Sequence, residues 1–549
     1  MTHLRRDWRF LGMIALLTVL AAARVASTWR VYGETLDEPV HLAAGYQWLT
    51  SRPTIDLGHP PLVRVLCALP LWIAGYSTPT STDPIQQGND LLYASRRVVA
   101  SSRGSAARRL DDPTTRSPDR YETSLALARS GNLLVLIAAI AGVALWARRT
   151  FSRGVAVLAV AIFTSTPAVL AHAGLVTNDL GAAATLVLAL LAFERYLDAP
   201  SYGRAALAGA AIALGLLTKF SFLVFFPPAA LVVWACRWKA PRWKDAGVAA
   251  LVAFAVVWAG YKLDFGSPKE LSKDGLFLFE YAAPKPLRTL TRPLAEVPMP
   301  APAFPLGLAT LAFHNQQGHD AYLFGETSRH GWWYYFPVVL FYKTPIPLLL
   351  LAAWGMAILR DRPRLAYAGV ALAILLVAMT ASINIGIRHV LPIYAPLSIL
   401  AAYAATTIWS RATTLFSRGA LAALLLWLFG GVALGGRDML PWFNEAAQPN
   451  PASIAVDSNL DWGQDTLRLA RAVREMQIPE LHAAIFTNAR LGRHGIHALP
   501  LDPYVKTSGW CAVSEMTLAI GKPKGEYAWL SAYRPVRRIG SSIRLYSIP

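Results

Sequence analysis

Runs of residues almost free of charge recur along this chain, and a water-soluble fold has no interior large enough to hold so many of them. Eleven stretches read as membrane-crossing helices: 10–27, 129–147, 154–172, 178–197, 204–218, 221–236, 246–263, 336–359, 365–382, 390–409 and 419–436. A helix needs about 20 mostly apolar residues to cross the hydrocarbon core. Composition agrees, since only 15% of the 549 residues are charged, against about 25% in soluble domains. The expected fold class is therefore an α-helical polytopic membrane protein, with more than half of the chain outside lipid.

The net charge of +19 invites a nucleic-acid reading, but in so apolar a chain basic residues first report topology. Arg5, Arg6 and Arg9, then Arg148, Arg149 and Arg153, Arg195 and Arg204, Arg237 to Lys244, Arg360 to Arg364, and Arg411 with Arg418 fall at alternate connections. The positive-inside rule makes those connections cytoplasmic, along with the N-terminus. The short connections of the other side carry only Lys219 and Arg388. The first stretch reads either as an anchor or as a signal peptide ending near Ala21-Ala22-Ala23, and both leave the later orientation unchanged.

This alternation divides the chain into a membrane part, 1–436, with external loops 28–128 and 264–335, and an external C-terminal α/β domain, 437–549. In the latter, 461–476 reads as a helix and 482–487, 511–520 and 543–548 as strands. Five prolines make 292–305 an extended loop, and the arginine-rich stretch 95–120 reads as a solvated loop near anionic headgroups. Cys67, Cys236 and Cys511 lie too far apart for a metal spacing or a disulfide framework.

Chemistry is expected at the outer helix ends. Asp37, Glu38 and His41 precede an amphipathic stretch, 42–49, expected at the interface; Asp37 there suits either an N-cap or an acid/base group. His59 stands before Pro60-Pro61, ahead of the apolar stretch 62–76, which is short for a span. Asp179, after Thr177-Asn178, opens the fourth span on the same side as Asp37, again as a cap or as a reactive carboxylate. The cluster Trp332-Trp333-Tyr334-Tyr335 reads as an anchoring belt or a sugar-stacking surface. Lys343, about two turns inside the eighth span, calls for an anionic partner, and Asn384, Arg388 and His389 open the tenth span with a guanidinium at the interface. Together they suggest an outward cationic pocket for a phosphate. His319 and His330 belong to a His-rich loop without a metal-ligand spacing, and the acid-dense segment 457–465 reads as caps and loop.

Asp37-Glu38-Pro39-Val40-His41, Gly58-His59-Pro60-Pro61-Leu62, Thr177-Asn178-Asp179, Leu217-Thr218-Lys219-Phe220, Gly331-Trp332-Trp333-Tyr334-Tyr335 and Asn384-Ile385-Gly386-Ile387-Arg388-His389 follow one another in an order and sidedness that resembles the C-type, polyprenyl-phosphate-dependent glycosyltransferases. More narrowly, the chain resembles bacterial members of glycosyltransferase family 39, related to protein O-mannosyltransferases and the lipid A aminoarabinose transferase. The resemblance implies inverting transfer of a sugar from a polyprenyl-phosphate donor in the bacterial inner membrane to an external glycan, lipid or protein acceptor.

Asp37, with Glu38 beside it, would be the base. His59 stands where relatives often carry a phosphate-binding Lys, and His59, Lys343, Arg388 and His389 would share the donor phosphate, with Asp179, His41 and Asn384 in support. No cofactor is required; a divalent metal is optional, with His41, His319 and His330 as its candidate ligands. The rival class is a transporter or lipid-linked-sugar flippase, which would show broken helices and paired repeats at the bilayer midplane.

Overall fold

An isolated backbone crosses lipid only with its hydrogen bonds made internally, and all eleven stretches are largely helical in the computed structural model, which describes residues 2–51, 54–93, 118–239, 241–272, 275–282 and 288–549. Six helices are long and apolar enough to span: Asp7–Thr28, Arg120–Thr150, Asp179–Asp198, Trp243–Gly260, Ile387–Arg411 and Leu415–Leu434.

Two predicted spans are broken. Arg153–Phe163 and Pro167–Ala173 meet at 68°, and Tyr335–Lys343 and Ile346–Ala357 at 115°. Pro167 and Pro345 sit at these breaks; each lacks a backbone N–H and disfavours helix in the residue before it. Tyr202–Leu216, Phe222–Arg237 and Arg362–Ala378 have 15, 16 and 17 residues, so length and composition support six to eight spans where the sequence suggests eleven.

Enclosure ranks the spans. The apolar windows of Asp179–Asp198 and Ile387–Arg411 are 83% and 78% buried, against 17% for Leu415–Leu434 and 11% for Trp243–Gly260. Two central helices are thus wrapped by lipid-facing ones, and the central pair carries Asp179 and Arg388 at its ends. The opposite end of the bundle is closed by ion pairs: Glu194 with Arg237 at 3.0 Å, Arg149 with Asp198, and Asp7 with Arg148 and Arg153.

Three short helices, Glu38–Thr50, Leu62–Ile73 and Pro84–Tyr93, cover the end that holds Asp179 and Arg388. The first is no interfacial amphipath as expected, because Leu42, Ala43, Ala44 and Tyr46 are all buried. It packs so closely that a Cβ on Gly45 would overlap the Arg64 carbonyl, which sets His41 against Arg64. Leu62–Ile73 confirms a helix shorter than a span. The loop expected at 292–305 holds a single 3-10 turn, Arg292–Ala295, and a two-residue strand, Met299–Pro300, before Ala303–Gln317 begins. The stretch 95–120 lies outside the described residues up to 117; 118–120 open the helix Pro118–Ser130.

The C-terminal part builds a five-stranded sheet in the order Ala498–Pro500, Leu481–Ala484, Gly509–Ser514, Ile543–Ile548, Arg537–Ile539, parallel across the first three and antiparallel thereafter. Alternation sorts its faces. Ala512, Ile543 and Leu545 pack under the helix Thr466–Glu475, while Cys511, Val513, Tyr546 and Ile548 face Leu530. The strand expected through 520 ends at Ser514, whose hydroxyl accepts from Thr517 N–H and starts the helix Glu515–Gly521. The helix expected from 461 starts only at Thr466, since Gly463 adopts positive φ, and Asp457–Asn459 ahead of it forms a single 3-10 turn.

Candidate functional site

Glu38, read beside Asp37 as a base, is committed to structure. Its carboxylate accepts from Arg129 Nε and Nη2 at 2.8 and 2.7 Å, from Val176 N–H at 2.9 Å and from Thr35 N–H at 2.8 Å. The Thr35 contact folds the turn ahead of the helix back onto its first residue. Arg129 also donates to the Tyr32 and Gly33 carbonyls, so one buried ion pair anchors the loop that leads to Asp37.

Asp37 occupies the N-cap position of Glu38–Thr50 but makes no cap bond with its side chain. It accepts instead from Arg388 Nη1 at 3.1 Å, and remains about a third exposed. The same Nη1 lies 3.9 Å from Asp179 Oδ2. Asp179 Oδ1 accepts from Lys219 Nζ at 2.6 Å, and His172 Nδ1 lies 3.9 Å from Oδ2. Two carboxylates and two cations thus alternate at one end of the central helices. Sequence reasoning counts Lys219 as a topological exception and as part of the Leu217-Thr218-Lys219-Phe220 motif but gives it no role; the turn after Tyr202–Leu216 gives it a partner.

Around this group, Asp179 Oδ2, His172 Nδ1, Asn178 Oδ1, Thr177 Oγ1 and His389 Nε2 are buried without a hydrogen-bond partner among the described residues. An unsatisfied buried polar atom costs about 1–3 kcal/mol, so such a concentration marks a place for a ligand or ordered water.

His41, Asp56 and His59 form a neighbouring cluster in which one ligand atom from each lies within 4.8 Å of the others. Arg64 already serves it: Nε donates to His41 Nδ1 at 3.1 Å and Nη2 to Asp56 Oδ2 at 2.7 Å. Burial alone would raise the Asp56 carboxyl, but the Arg64 and His59 charges hold it well below the usual carboxylate range. Arg64 takes one nitrogen of His41 and one oxygen of Asp56, and its positive charge beside them opposes an additional divalent cation. His59 Nδ1 lies 3.2 Å from Asp56 Oδ2, and the ring is partly exposed.

His319 and His330 do not join His41. His319 Nδ1 donates to the Asp320 carbonyl, and its ring stacks on His314 beside a cleft of about 400 Å³ lined by Thr310, Phe313, Gln317 and Arg329. Lys343, expected on the phosphate, donates to the carbonyls of Leu440 and Asn459 at 2.8 and 2.6 Å and lies over the Phe443 ring. Asn384 supports the aromatic segment by accepting from Trp332 N–H at 2.7 Å. His389 stays near the site, within electrostatic reach of Lys219, Arg388 and Asp179.

The segment 457–465, expected as caps and loop, closes over Arg388: Ser458 Oγ accepts from Nε at 3.1 Å, and the Trp462 ring lies 4.3 Å from the guanidinium. No local pattern in the sequence announces these contacts.

Residues 123–259 match the family model of the dolichyl-phosphate-mannose-protein mannosyltransferases. No curated protein matches the chain in sequence. Among solved structures the chain is similar to ArnT from Cupriavidus metallidurans bound to undecaprenyl phosphate, with 12% identity over 97% of this chain and 98% of that one and a TM-score of 0.49. It is also similar to the Archaeoglobus fulgidus oligosaccharyltransferase in the apo form, with 14% identity over 91% of this chain and 62% of that one and a TM-score of 0.46. The family match thus covers about a quarter of the chain, residues 123–259.

Proposed function

We propose that this chain transfers a sugar, with inversion, from a polyprenyl-phosphate donor to an acceptor hydroxyl or phosphate at the outer face of a bacterial plasma membrane. The observation that carries the reading is the sharing of Arg388 by Asp37 and Asp179, with Lys219 on the second carboxylate, at one end of the two most enclosed helices. The matched family's description names a lipid-phosphate sugar as donor.

In this reading Asp37 takes the proton of the acceptor hydroxyl as its oxygen attacks the anomeric carbon opposite the phosphate. The bond from that carbon to the phosphate oxygen breaks, the electron pair stays with the phosphate, and Arg388 and Lys219 hold the growing charge. His59, His389 and the unpaired polar atoms around Asp179 line the same region. The acceptor is a glycan, lipid or protein, and no cofactor is required. The N-terminus is cytoplasmic and residues 437–549 form an external domain, because Arg148, Arg149, Arg153 and Arg237 gather at the end away from the site.

The two bent helix pairs are what a flippase reading expects. Both bends coincide with prolines, however, and the charged cluster lies at one end of the bundle. Membranes containing the protein, incubated with polyprenyl-phosphate sugars labelled in the sugar, decide between them: transfer releases label from lipid, and Arg388→Ala abolishes the release. Label that changes leaflet but stays lipid-linked assigns the flippase function instead.

A further inference from the structure

Two of the contacts that hold Arg388 come from the far end of the chain. Its Nε donates to Ser458 Oγ, and the face of its guanidinium rests on Trp462. Both partners are fixed in turn. Ser458 Oγ donates to the Ile385 carbonyl at 2.6 Å, and a Cβ on Gly386 would overlap the Ser458 hydroxyl. Asn459 Oδ1 accepts from Ile387 N–H at 3.0 Å, and its Nδ2 donates to Tyr335 Oη at 2.9 Å. The turn begins at Asp457, whose φ of +54° is rare for a residue with a side chain, and whose carboxylate accepts from Ser458 N–H.

The other flank reaches the loop that carries Asp37. The Trp462 carbonyl accepts from Leu36 N–H at 2.9 Å and the Gln464 carbonyl from Gly33 N–H at 2.8 Å. One segment therefore ties the start of Ile387–Arg411 to the approach of the acidic residue that Arg388 meets.

A guanidinium between two carboxylates tends to close on one of them through a two-pronged contact. Here Ser458 takes Nε, Trp462 blocks one face, and Nη1 alone reaches the acids. Arg388 Nη2 has no hydrogen-bond partner among the described residues.

We propose that Ser458 and Trp462 are positioning residues of the transfer site, holding the Arg388 fork so that Nη1 serves the carboxylates and Nη2 meets the donor phosphate. The C-terminal part is then a component of the site and not an appended module. This rests on the reading that Arg388 contacts that phosphate.

Binding of radiolabelled undecaprenyl phosphate to the full-length protein in detergent tests it. Ser458→Ala weakens retention about tenfold, as expected for one hydrogen bond to a charged group, in protein that stays folded with a melting temperature lower by a few degrees for the stranded Ile385 carbonyl. In an Arg388→Gln background, Ser458→Ala has less than a twofold further effect, because its role runs through the missing guanidinium. Trp462→Phe keeps a ring and stays within about threefold of wild type, while Trp462→Leu loses binding as Ser458→Ala does. Wild-type protein that does not retain the lipid phosphate overturns the donor reading itself. Wild-type binding with Ser458→Ala unchanged, or a Ser458→Ala loss that persists without Arg388, overturns the positioning role alone.

Discussion

Arg388 Nη1 and Asp37 Oδ2 lie 3.1 Å apart although 351 positions separate them in the chain. The contact joins the start of a central span to the loop after the first helix, and it takes the Asp37 carboxylate away from capping. Arg388 is therefore expected to matter for ligand and Lys343 for folding. Arg388→Ala lowers lipid-phosphate affinity by roughly tenfold to a hundredfold. Lys343→Ala strands the Leu440 and Asn459 carbonyls and destabilises by about 2–4 kcal/mol, with affinity of the folded protein little changed. Equilibrium binding and thermal unfolding on both variants check the separation; a larger affinity loss in Lys343→Ala would return that lysine to the phosphate.

Glu38 and Arg129 form a fully buried pair, so removing one partner leaves an uncompensated charge. Arg129→Met and Glu38→Gln should each cost about 3–5 kcal/mol in unfolding, read by thermal melting in detergent. A stable Glu38→Gln protein that has lost only turnover would contradict this and make Glu38 a reacting group.

Chelation should leave activity within about twofold, because Arg64 holds one nitrogen of His41 and one oxygen of Asp56 and sets its charge against a metal ion there. Arg64→Ala frees those ligands and should acquire a cobalt absorption band that wild type lacks. A cobalt band in wild type, lost in His59→Ala, would show that the guanidinium yields to an ion.

Burial pushes the carboxyls of Glu34 and Asp461 up to about 7, and that of Asp457 to about 6 against the opposing charge of Arg388. These folded values are raised, so the unfolded chain releases its protons first, from near the ordinary value of 3.8 for aspartate. At these three carboxyls the folded state binds more protons between about pH 4 and pH 7, and their contribution to stability falls as pH rises, whereas His494, lowered to about 4 by burial, contributes in the opposite sense up to its ordinary value of 6.5. Asp56, held low, acts below that window. The melting temperature should decline from pH 6.5 to pH 7.5, where Glu34 and Asp461 still titrate and the histidines no longer do, and Asp461→Asn should flatten the slope; a midpoint that climbs over this range would contradict it.

Sequence periodicity and charge sidedness were enough to bring Asp37, Asp179 and Arg388 to one end of the bundle, because hydropathy and helix ends are local properties. The breaks at Pro167 and Pro345 were written in the sequence as well, yet an apolar run continues through each and hides the bend. Arg129 on Glu38 and Ser458 on Arg388 bridge 91 and 70 positions, and nothing local distinguishes a buried partner at that distance from a solvated arginine or a loop serine. Lys343 misled for a related reason. Its depth in an apolar stretch demanded acceptors, and backbone carbonyls of residues 440 and 459 supplied them in place of a phosphate.

Asp37→Asn tests the account most directly. The amide keeps the size of the carboxylate, and no cap bond is lost, since Asp37 makes none. With purified protein, a polyprenyl phosphate labelled in its sugar and an envelope extract as acceptor source, wild type should move label into a non-lipid product. Asp37→Asn should retain lipid-phosphate binding within a few-fold and lose transfer by about 10²–10⁴-fold. Transfer by Asp37→Asn at the wild-type rate would contradict the assignment of the base and, with it, the chemistry proposed for this site.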